Sequence, residues 1–180
     1  MTLFLALLTA AAQVGIVFLV LAWLLERVGI GSGWSRARAA LGSDAIRLAA
    51  LVAVVAMAGS LYLSEVRNFT PCTLCWYQRI TLYPQALILV IAAIVGDRLI
   101  WRYSLPLALV GIVVSAYHVQ LERFPDQGEI ACSSEIPCTV IWYTELGYVT
   151  ISVMALTASI AIALLVRLGA PHGQVITEQG

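Results

Sequence analysis

Five long apolar stretches restrict what this chain can fold into more than any other feature of its sequence. The first covers residues 3–25 and contains no charged side chain. As a helix rising about 1.5 Å per residue it measures roughly 34 Å, which is enough to cross the hydrocarbon core of a bilayer. The overall composition, 61% hydrophobic and 11% charged, is also far from that of a soluble domain. The sequence therefore predicts an integral membrane protein.

The same pattern repeats four more times along the chain. Apolar stretches cover residues 48–63, 76–95, 105–119 and 146–166. A backbone in lipid must satisfy its own hydrogen bonds, and these stretches are far too long for barrel strands, so we expect transmembrane helices. A cleaved signal peptide is the alternative for the first stretch, but no positive residue precedes it, and Glu26 and Arg27 follow where small residues would mark a cleavage site. We therefore expect five spans.

The arginines predict the orientation of these spans. All ten cationic residues are Arg, and they are too scattered to form the basic patch of a nucleic-acid-binding protein. We expect seven arginines on the inner side, at positions 27, 36, 38, 47, 98, 102 and 167. We expect three on the outer side, at positions 67, 79 and 123. The positive-inside rule then places the N-terminus outside and the C-terminus in the cytoplasm. All four cysteines fall on the external face.

A Cys-X-X-Cys pair opens the third apolar stretch. Cys72 and Cys75 would share one face of a helical turn, close enough to form a disulfide, with Arg79 one turn further on. Thr70 and Pro71 have the pattern of an N-cap and a first helical residue. Cys72 is then expected in the first turn, where the helix dipole favours the thiolate that attacks disulfides.

A second pair, Cys132 and Cys138, follows in an acidic external loop, 122–136, that we expect to be mobile. A rigid pair beside a mobile pair suits a relay in which disulfides pass by thiolate attack. Arg79 has two interpretations, since it could snorkel to the interface or stabilise a thiolate at Cys75 or a reduced electron acceptor. His118, near the outer end of the fourth span, is a weaker candidate for contact with a cofactor. Gly111 and Ser115 share its face and predict close packing on a neighbouring helix.

These pairs belong to a longer series of motifs. In order they are Pro71-Cys72-Thr73-Leu74-Cys75-Trp76-Tyr77-Gln78-Arg79, Tyr83-Pro84, Ala116-Tyr117-His118, Cys132 with Pro137-Cys138-Thr139, and Leu146-Gly147-Tyr148. The series resembles the DsbB family of quinone-dependent thiol oxidases, and the short second cysteine loop is most similar to the BdbC branch. The resemblance covers about residues 45–168.

For the fold, the resemblance implies an all-α integral membrane protein with a four-transmembrane-helix bundle as its core, residues 45–168, and two external cysteine loops. Residues 1–44 would add one N-terminal transmembrane helix and a basic cytoplasmic connector. Residues 169–180 form a polar tail that we expect to be disordered. The implied location is the bacterial cytoplasmic (inner) membrane, which the chain would cross several times.

For the activity, the resemblance implies an enzyme, a quinone-dependent protein-dithiol oxidoreductase. It would reoxidise an extracytoplasmic thioredoxin-like dithiol oxidase, DsbA- or BdbD-like, and pass the electrons to ubiquinone or menaquinone, which supports disulfide formation in secreted proteins. Cys132 would form the mixed disulfide with the partner, and Cys138 would resolve it and exchange with Cys72. The residues implied on the quinone side are Cys75, Arg79 and His118.

Two departures and three alternatives accompany this resemblance. The N-terminal helix lies outside the family's four-helix core, and Cys132 and Cys138 are six positions apart where the enterobacterial form has a long loop. A vitamin-K-epoxide-reductase-like enzyme would have the loop pair before the Cys-X-X-Cys, the reverse of the order here. A site with four thiolates for a metal would suit the cytosol better than an oxidising exterior, so we assign no metal ligands. Two purely structural disulfides are the third alternative.

Overall fold

The computed structural model describes residues 1–127, 132 and 136–171, and this part of the chain is helical. Its helices are α1 (Thr2–Arg27), α2 (Gly33–Leu41), α3 (Ala45–Leu61) continued by a π-helical turn (Tyr62–Val66), α4 (Thr73–Val95), α5 (Trp101–Arg123), a 3₁₀ turn (Pro125–Gln127) and α6 (Ile151–Gly169). Five of them are long and apolar enough to cross a membrane, namely α1, α3 with its π turn, α4, α5 and α6. The predicted all-helical membrane protein with five spans is confirmed.

Helices α3 to α6 form the four-helix core, in which α3 contacts α4 and α6, and α5 contacts the same two helices. Small side chains bring their backbones close together, as is usual for helices in membranes. On α3 the fully buried residues are Ala45, Ala49 and Ala53. On α5 a Cβ added to Gly111 would lie only 2.9 Å from Ser159 Oγ of α6. The close packing predicted for this face of α5 is confirmed.

Helix α1 lies outside this core and packs against α6 and the short helix α2. We predicted only a basic connector between the first two spans, and the structure has a nine-residue helix there. Its sequence is rich in Ala and Arg, which are strong helix formers. Glu26 at the end of α1 accepts the backbone N–H of Ser35 and fixes how α2 begins.

Two helix starts differ from the prediction. Helix α4 begins at Thr73 with Cys72 as its N-cap, because the Cys72 sulfur accepts the Cys75 N–H, whereas we predicted Thr70 as the N-cap and Pro71 as the first helical residue. The fifth span begins at Ile151 and not near 146, because a turn with positive φ at Leu146 and Gly147 precedes it. The Thr150 hydroxyl then accepts the Val153 N–H and caps α6.

Arginines close the end of the bundle opposite the cysteines. Arg98 donates to the carbonyl of Gly169, and Arg38 donates to that of Ala170, so the free carbonyls at the end of α6 are bound. Residues 172–180 and most of the second cysteine loop, 128–131 and 133–135, lie outside the described residues. The predicted mobility of the loop concerns these positions, and so does most of the predicted disordered tail, 169–180, although Gly169 still belongs to α6 and Ala170 is buried.

Candidate functional site

The Cys-X-X-Cys pair sits where the connector from α3 enters α4. Cys72 has an extended backbone, and its sulfur receives the Cys75 N–H at 3.4 Å. The two Sγ atoms are 3.0 Å apart, and both cysteines are free thiols. Their proximity is what the spacing predicted. The pair can therefore close or open a disulfide with little movement of the backbone.

The second pair lies directly beside the first. Cys132 and Cys138 are joined by a disulfide, and Cys138 packs in one buried cluster with Cys72, Leu74 and Leu121. The two ends of this disulfide differ in exposure, since Cys138 is 1% exposed and Cys132 is half-buried. An incoming thiolate therefore has better access to Cys132, while Cys138 faces the first pair.

His118 connects the two pairs. Its Nε2 atom lies 3.2 Å from the Cys138 carbonyl oxygen and 3.7 Å from Cys72 Sγ, and the side chain is buried. In the tautomer with a proton on Nε2, the imidazole donates to this carbonyl and faces the sulfur. His118 therefore lies at the point where the disulfide of one pair meets the thiol of the other.

The environment of Cys72 favours its ionised form. Cys72 precedes the first residue of α4 and so lies outside the membrane-spanning segment. The hydrogen bond from the Cys75 thiol lowers the pKa of Cys72, burial opposes this shift, and the His118 imidazole lowers the pKa further. Together these contacts lower the pKa of Cys72 well below the usual range of a thiol. These contacts therefore favour the thiolate of Cys72, the form that attacks disulfides.

Glu122 is a residue of this site that the sequence analysis missed. We placed it in the acidic external loop, but it lies in the last turn of α5 with only 5% of its side chain exposed. Its carboxylate accepts hydrogen bonds from the hydroxyls of Thr150 and Ser152, and one of its oxygens is 4.0 Å from His118 Nε2. The four-residue spacing from His118 was the available signal, because it places both side chains on one face.

A cavity of about 280 Å³ opens on the other side of the Cys-X-X-Cys pair. It lies between α1, α3, α4 and α6, and its lining is mostly apolar, with Cys75, Gln78 and Arg79 of α4 among it. Phe69 and Trp142 also line it, with their rings stacked 5.5 Å apart between centroids. This stack lies at the wall of the cavity, with Trp142 partly exposed.

Arg79 is held at the cavity wall by α3. Its Nε donates to the Ser60 hydroxyl at 3.1 Å and a terminal nitrogen donates to the Ser60 carbonyl at 3.3 Å. The guanidinium also lies over the Trp76 ring, 5.2 Å from its centroid. These contacts keep the positive charge within the bundle, on the same wall as Cys75.

The predicted quinone-side residues thus separate in the structure. Cys75 and Arg79 both line the cavity, whereas His118 does not and lies with Cys72 and Cys138 instead. Gln78, which we had not singled out, also lines the cavity and is buried. Its amide Nε2 has no hydrogen-bond partner within the described residues. A buried donor without a partner is costly, so this atom is suited to an acceptor on a bound molecule.

The whole four-helix core of the chain matches a known family. The model of the family described as "Disulfide bond formation protein DsbB" matches residues 42–169. The chain belongs to the DsbB family. The predicted resemblance to this family is therefore confirmed, and the protein is an oxidoreductase of disulfide bond formation that crosses the membrane several times.

Individual DsbB-family relatives agree with this assignment. "Disulfide bond formation protein C" of Bacillus subtilis is 44% identical over 119 residues, which cover 66% of this chain and 86% of the relative. "Probable disulfide formation protein C" of Halalkalibacterium halodurans is 43% identical over 113 residues, 62% of this chain and 82% of the relative. These names confirm the predicted BdbC branch. A "Probable disulfide formation protein" of Coxiella burnetii is 37% identical over 115 residues, 63% of this chain and 78% of the relative. No solved structure matches the chain.

The DsbB-family site also bears on the metal alternative. Cys72, Cys75 and His118 offer three ligand atoms within 4.8 Å of one another, a set that could hold a metal ion. The four-thiolate site considered from the sequence is not formed, because Cys132 and Cys138 are bonded to each other. A disulfide sulfur is not the thiolate that binds zinc.

Proposed function

We propose that this DsbB-family protein is a thiol:quinone oxidoreductase. It reoxidises an extracytoplasmic thioredoxin-like dithiol oxidase and delivers the electrons to a membrane quinone, which sustains disulfide formation in secreted proteins. One observation carries this proposal. Cys72 and Cys75 are 3.0 Å apart yet face different neighbours, since Cys72 packs against Cys138 and Cys75 lines the apolar cavity.

On the partner side, exposure and contact support separate roles for the cysteines. A partner thiolate attacks Cys132, which forms a mixed disulfide and releases the Cys138 thiolate. Cys138 then attacks Cys72 of an oxidised Cys72–Cys75 pair and releases the Cys75 thiolate. The second partner thiolate attacks its own mixed disulfide and frees Cys132, which attacks Cys138 and frees Cys72. Two electrons have then passed from the partner to the Cys-X-X-Cys pair.

The bonds in the structure match the product of that exchange. Cys132 and Cys138 are joined, while Cys72 and Cys75 are free. His118 supports the exchange because it faces the Cys72 sulfur and binds the Cys138 carbonyl. Glu122, held by the hydroxyls of Thr150 and Ser152, has a carboxylate oxygen 4.0 Å from His118 Nε2 and so lies beside the imidazole.

The cavity fits a quinone of the ubiquinone or menaquinone type. Its lining is mostly apolar, and its polar groups include two donors suited to a quinone carbonyl, the Gln78 amide and the Arg79 guanidinium. A bound quinone supplies an acceptor for two electrons and two protons. The chain contributes Cys75 at the wall, and re-forming the Cys72–Cys75 disulfide releases two electrons, while the two protons taken up on reduction balance those that the partner's two thiols lose.

The distribution of charge supports a cytoplasmic membrane location with the cysteines outside. Arg38, Arg98 and Arg167 lie near one another at the end of the bundle opposite the cysteines. Burial lowers the pKa of Arg38, and the charges of Arg167 and Arg98 lower it further. The positive-inside rule assigns this end to the cytoplasm. The N-terminus of α1 and the exchange site then face the exterior.

A reconstituted reaction tests this function. We expect the purified protein in lipid vesicles to oxidise a reduced thioredoxin-fold dithiol oxidase when ubiquinone or menaquinone is present, with one quinone reduced for each pair of thiols lost. Thiols are titrated with a chromogenic reagent, and quinone reduction is followed by absorbance. Thiol loss at the same rate without quinone would contradict the proposal.

Arg79→Ala tests the quinone side of the site. We expect the apparent KM for quinone to rise about ten-fold, since a hydrogen bond to a charged group contributes roughly 1.5–3 kcal/mol and about 1.4 kcal/mol is ten-fold in affinity. Arg123→Ala is the matched control, because Arg123 is an exposed outer arginine that does not line the cavity. The same KM in both variants would favour the interpretation of Arg79 as an interfacial anchor.

A further inference from the structure

Helix α1 contributes directly to the cavity beside Cys75. The family model matches residues 42–169, so α1 lies before the part of the chain that matches. Leu5, Leu8, Thr9 and Ala12 of α1 nevertheless line the cavity together with residues of α3, α4 and α6. The site proposed to bind quinone is therefore not made by the four core helices alone.

Specific contacts hold α1 in this position. Gln13 Nε2 donates to the Thr157 hydroxyl of α6 at 3.1 Å, and Tyr148 donates to Gln13 Oε1 at 2.6 Å. Hydrogen bonds between polar side chains of neighbouring helices fix their register in a membrane. Leu5 packs on Gly59 of α3, where an added Cβ would be 3.3 Å from its side chain. The residues from Leu5 to Ala12 are thereby held facing the cavity.

The cavity also has a side that faces lipid. Leu8 of α1 and Leu51 of α3 both line it, yet they are 40% and 59% exposed. Further toward the exterior, Leu5 covers Gly59 and closes the space between the two helices. On α3 the lining runs from Ser60 down to Leu51, which is about 14 Å along the helix axis at about 1.5 Å per residue. The opening thus lies between α1 and α3, within the membrane and away from Cys75.

We propose that α1 is a wall of the quinone site, and that the slot between Leu8 and Leu51 takes the isoprenoid side chain of the quinone. The ring then lies at the outer end, beside Cys75, Gln78 and Arg79, and the side chain leaves between α1 and α3 into lipid. This inference rests on the proposed function, because it assumes that the cavity binds a quinone. It gives the additional N-terminal helix a role in cofactor binding.

The test replaces two neighbouring leucines of α1 by the same large side chain. Leu8→Trp places an indole in the slot, whereas Leu7→Trp is the matched control, because Leu7 is 52% exposed and does not line the cavity. Each protein is purified, and bound quinone is extracted and measured after saturation with a long-chain ubiquinone or with a ubiquinone that carries one isoprene unit. The melting temperature of each variant is measured alongside.

We expect Leu8→Trp to lower the affinity for the long-chain ubiquinone about ten-fold and to lower the affinity for the short ubiquinone by a much smaller factor. Leu7→Trp should bind both ubiquinones like the wild type. Equal losses of affinity for both ubiquinones would overturn the claim that the slot holds the isoprenoid side chain. Unchanged affinity for both would overturn the claim that α1 is a wall of the quinone site. These results leave the proposed function intact. A wild-type protein that binds neither ubiquinone nor menaquinone would overturn the proposed function and this inference with it.

A labelling experiment on the unaltered protein keeps the inference testable if Leu8→Trp does not fold. An azido-substituted ubiquinone with the azide on its side chain is bound to the wild-type protein and activated by light. Proteolysis after arginine then releases the peptide that contains α1 and ends at Arg27. We expect the label on this peptide and on that of α3, competed by unmodified ubiquinone. Competed labelling confined to α4 and α6 would overturn the proposal.

Discussion

Replacing Cys75 by serine is expected to reduce quinone-dependent thiol oxidation to the uncatalysed rate. Cys75 lines the cavity and its sulfur is 3.0 Å from that of Cys72, so the disulfide that releases electrons toward the cavity cannot re-form without it. A serine hydroxyl does not ionise at neutral pH and forms no disulfide. The measurement is quinone absorbance in vesicles with the reduced partner oxidase. The melting temperature is expected to stay close to that of the wild type, since the substitution changes a single atom.

The same variant should show where the exchange stops. With Cys75 absent, the Cys72 thiolate can still attack Cys138 of the Cys132–Cys138 disulfide and release the Cys132 thiolate, and we expect the Cys72–Cys138 disulfide to accumulate in peptide maps made without reductant. Cys72→Ser is the comparison, because it removes both the quinone reaction and that cross-link. Normal turnover in Cys75→Ser would show that the cavity does not receive electrons through this sulfur.

The parts of this molecule that follow from local sequence were predictable. Long apolar stretches separated by charged or polar connectors predicted the five helices. The spacing of Cys72 and Cys75 gave their contact, because residues three apart on a helical turn are neighbours. The predicted start of α6, at residue 146, was wrong because the hydrophobic stretch continues through residues 146–149. Only the turn at Gly147 and the Thr150 cap distinguish these residues from a helix.

The parts that depend on distant contacts could not be read in this way. Glu122 is buried because hydroxyls 28 and 30 positions later on the chain bind its carboxylate. Helix α1 forms part of the cavity wall because Gln13 donates a hydrogen bond to Thr157, 144 positions away. The spacing from His118 places Glu122 on the same helix face but does not bury it, and nothing in the local sequence of Gln13 distinguishes it from an isolated polar residue in a span. Such pairings require the packing of the bundle to be known.

A partner oxidase that retains only its attacking cysteine should be trapped on Cys132. Its thiolate attacks the Cys132–Cys138 disulfide, and without a second cysteine it cannot leave. Cys132 is the accessible end, since it is half-buried whereas Cys138 is 1% exposed and packs against Cys72. The proposed exchange also requires Cys138 as the leaving sulfur, because that thiolate is the one placed to attack the first pair.

The trapped complex is detected by electrophoresis without reductant, and mass spectrometry of its peptides locates the cross-link. Cys132→Ser should form no complex. Cys138→Ser should still form one when the partner's cysteine is first activated as a mixed disulfide with an aromatic thiol, because Cys132 then attacks it directly. The pair of variants thus separates the attacked sulfur from the leaving one. A cross-link found on Cys138, and retained in Cys132→Ser, would reverse the two roles and would require the partner to reach a sulfur that the bundle now covers.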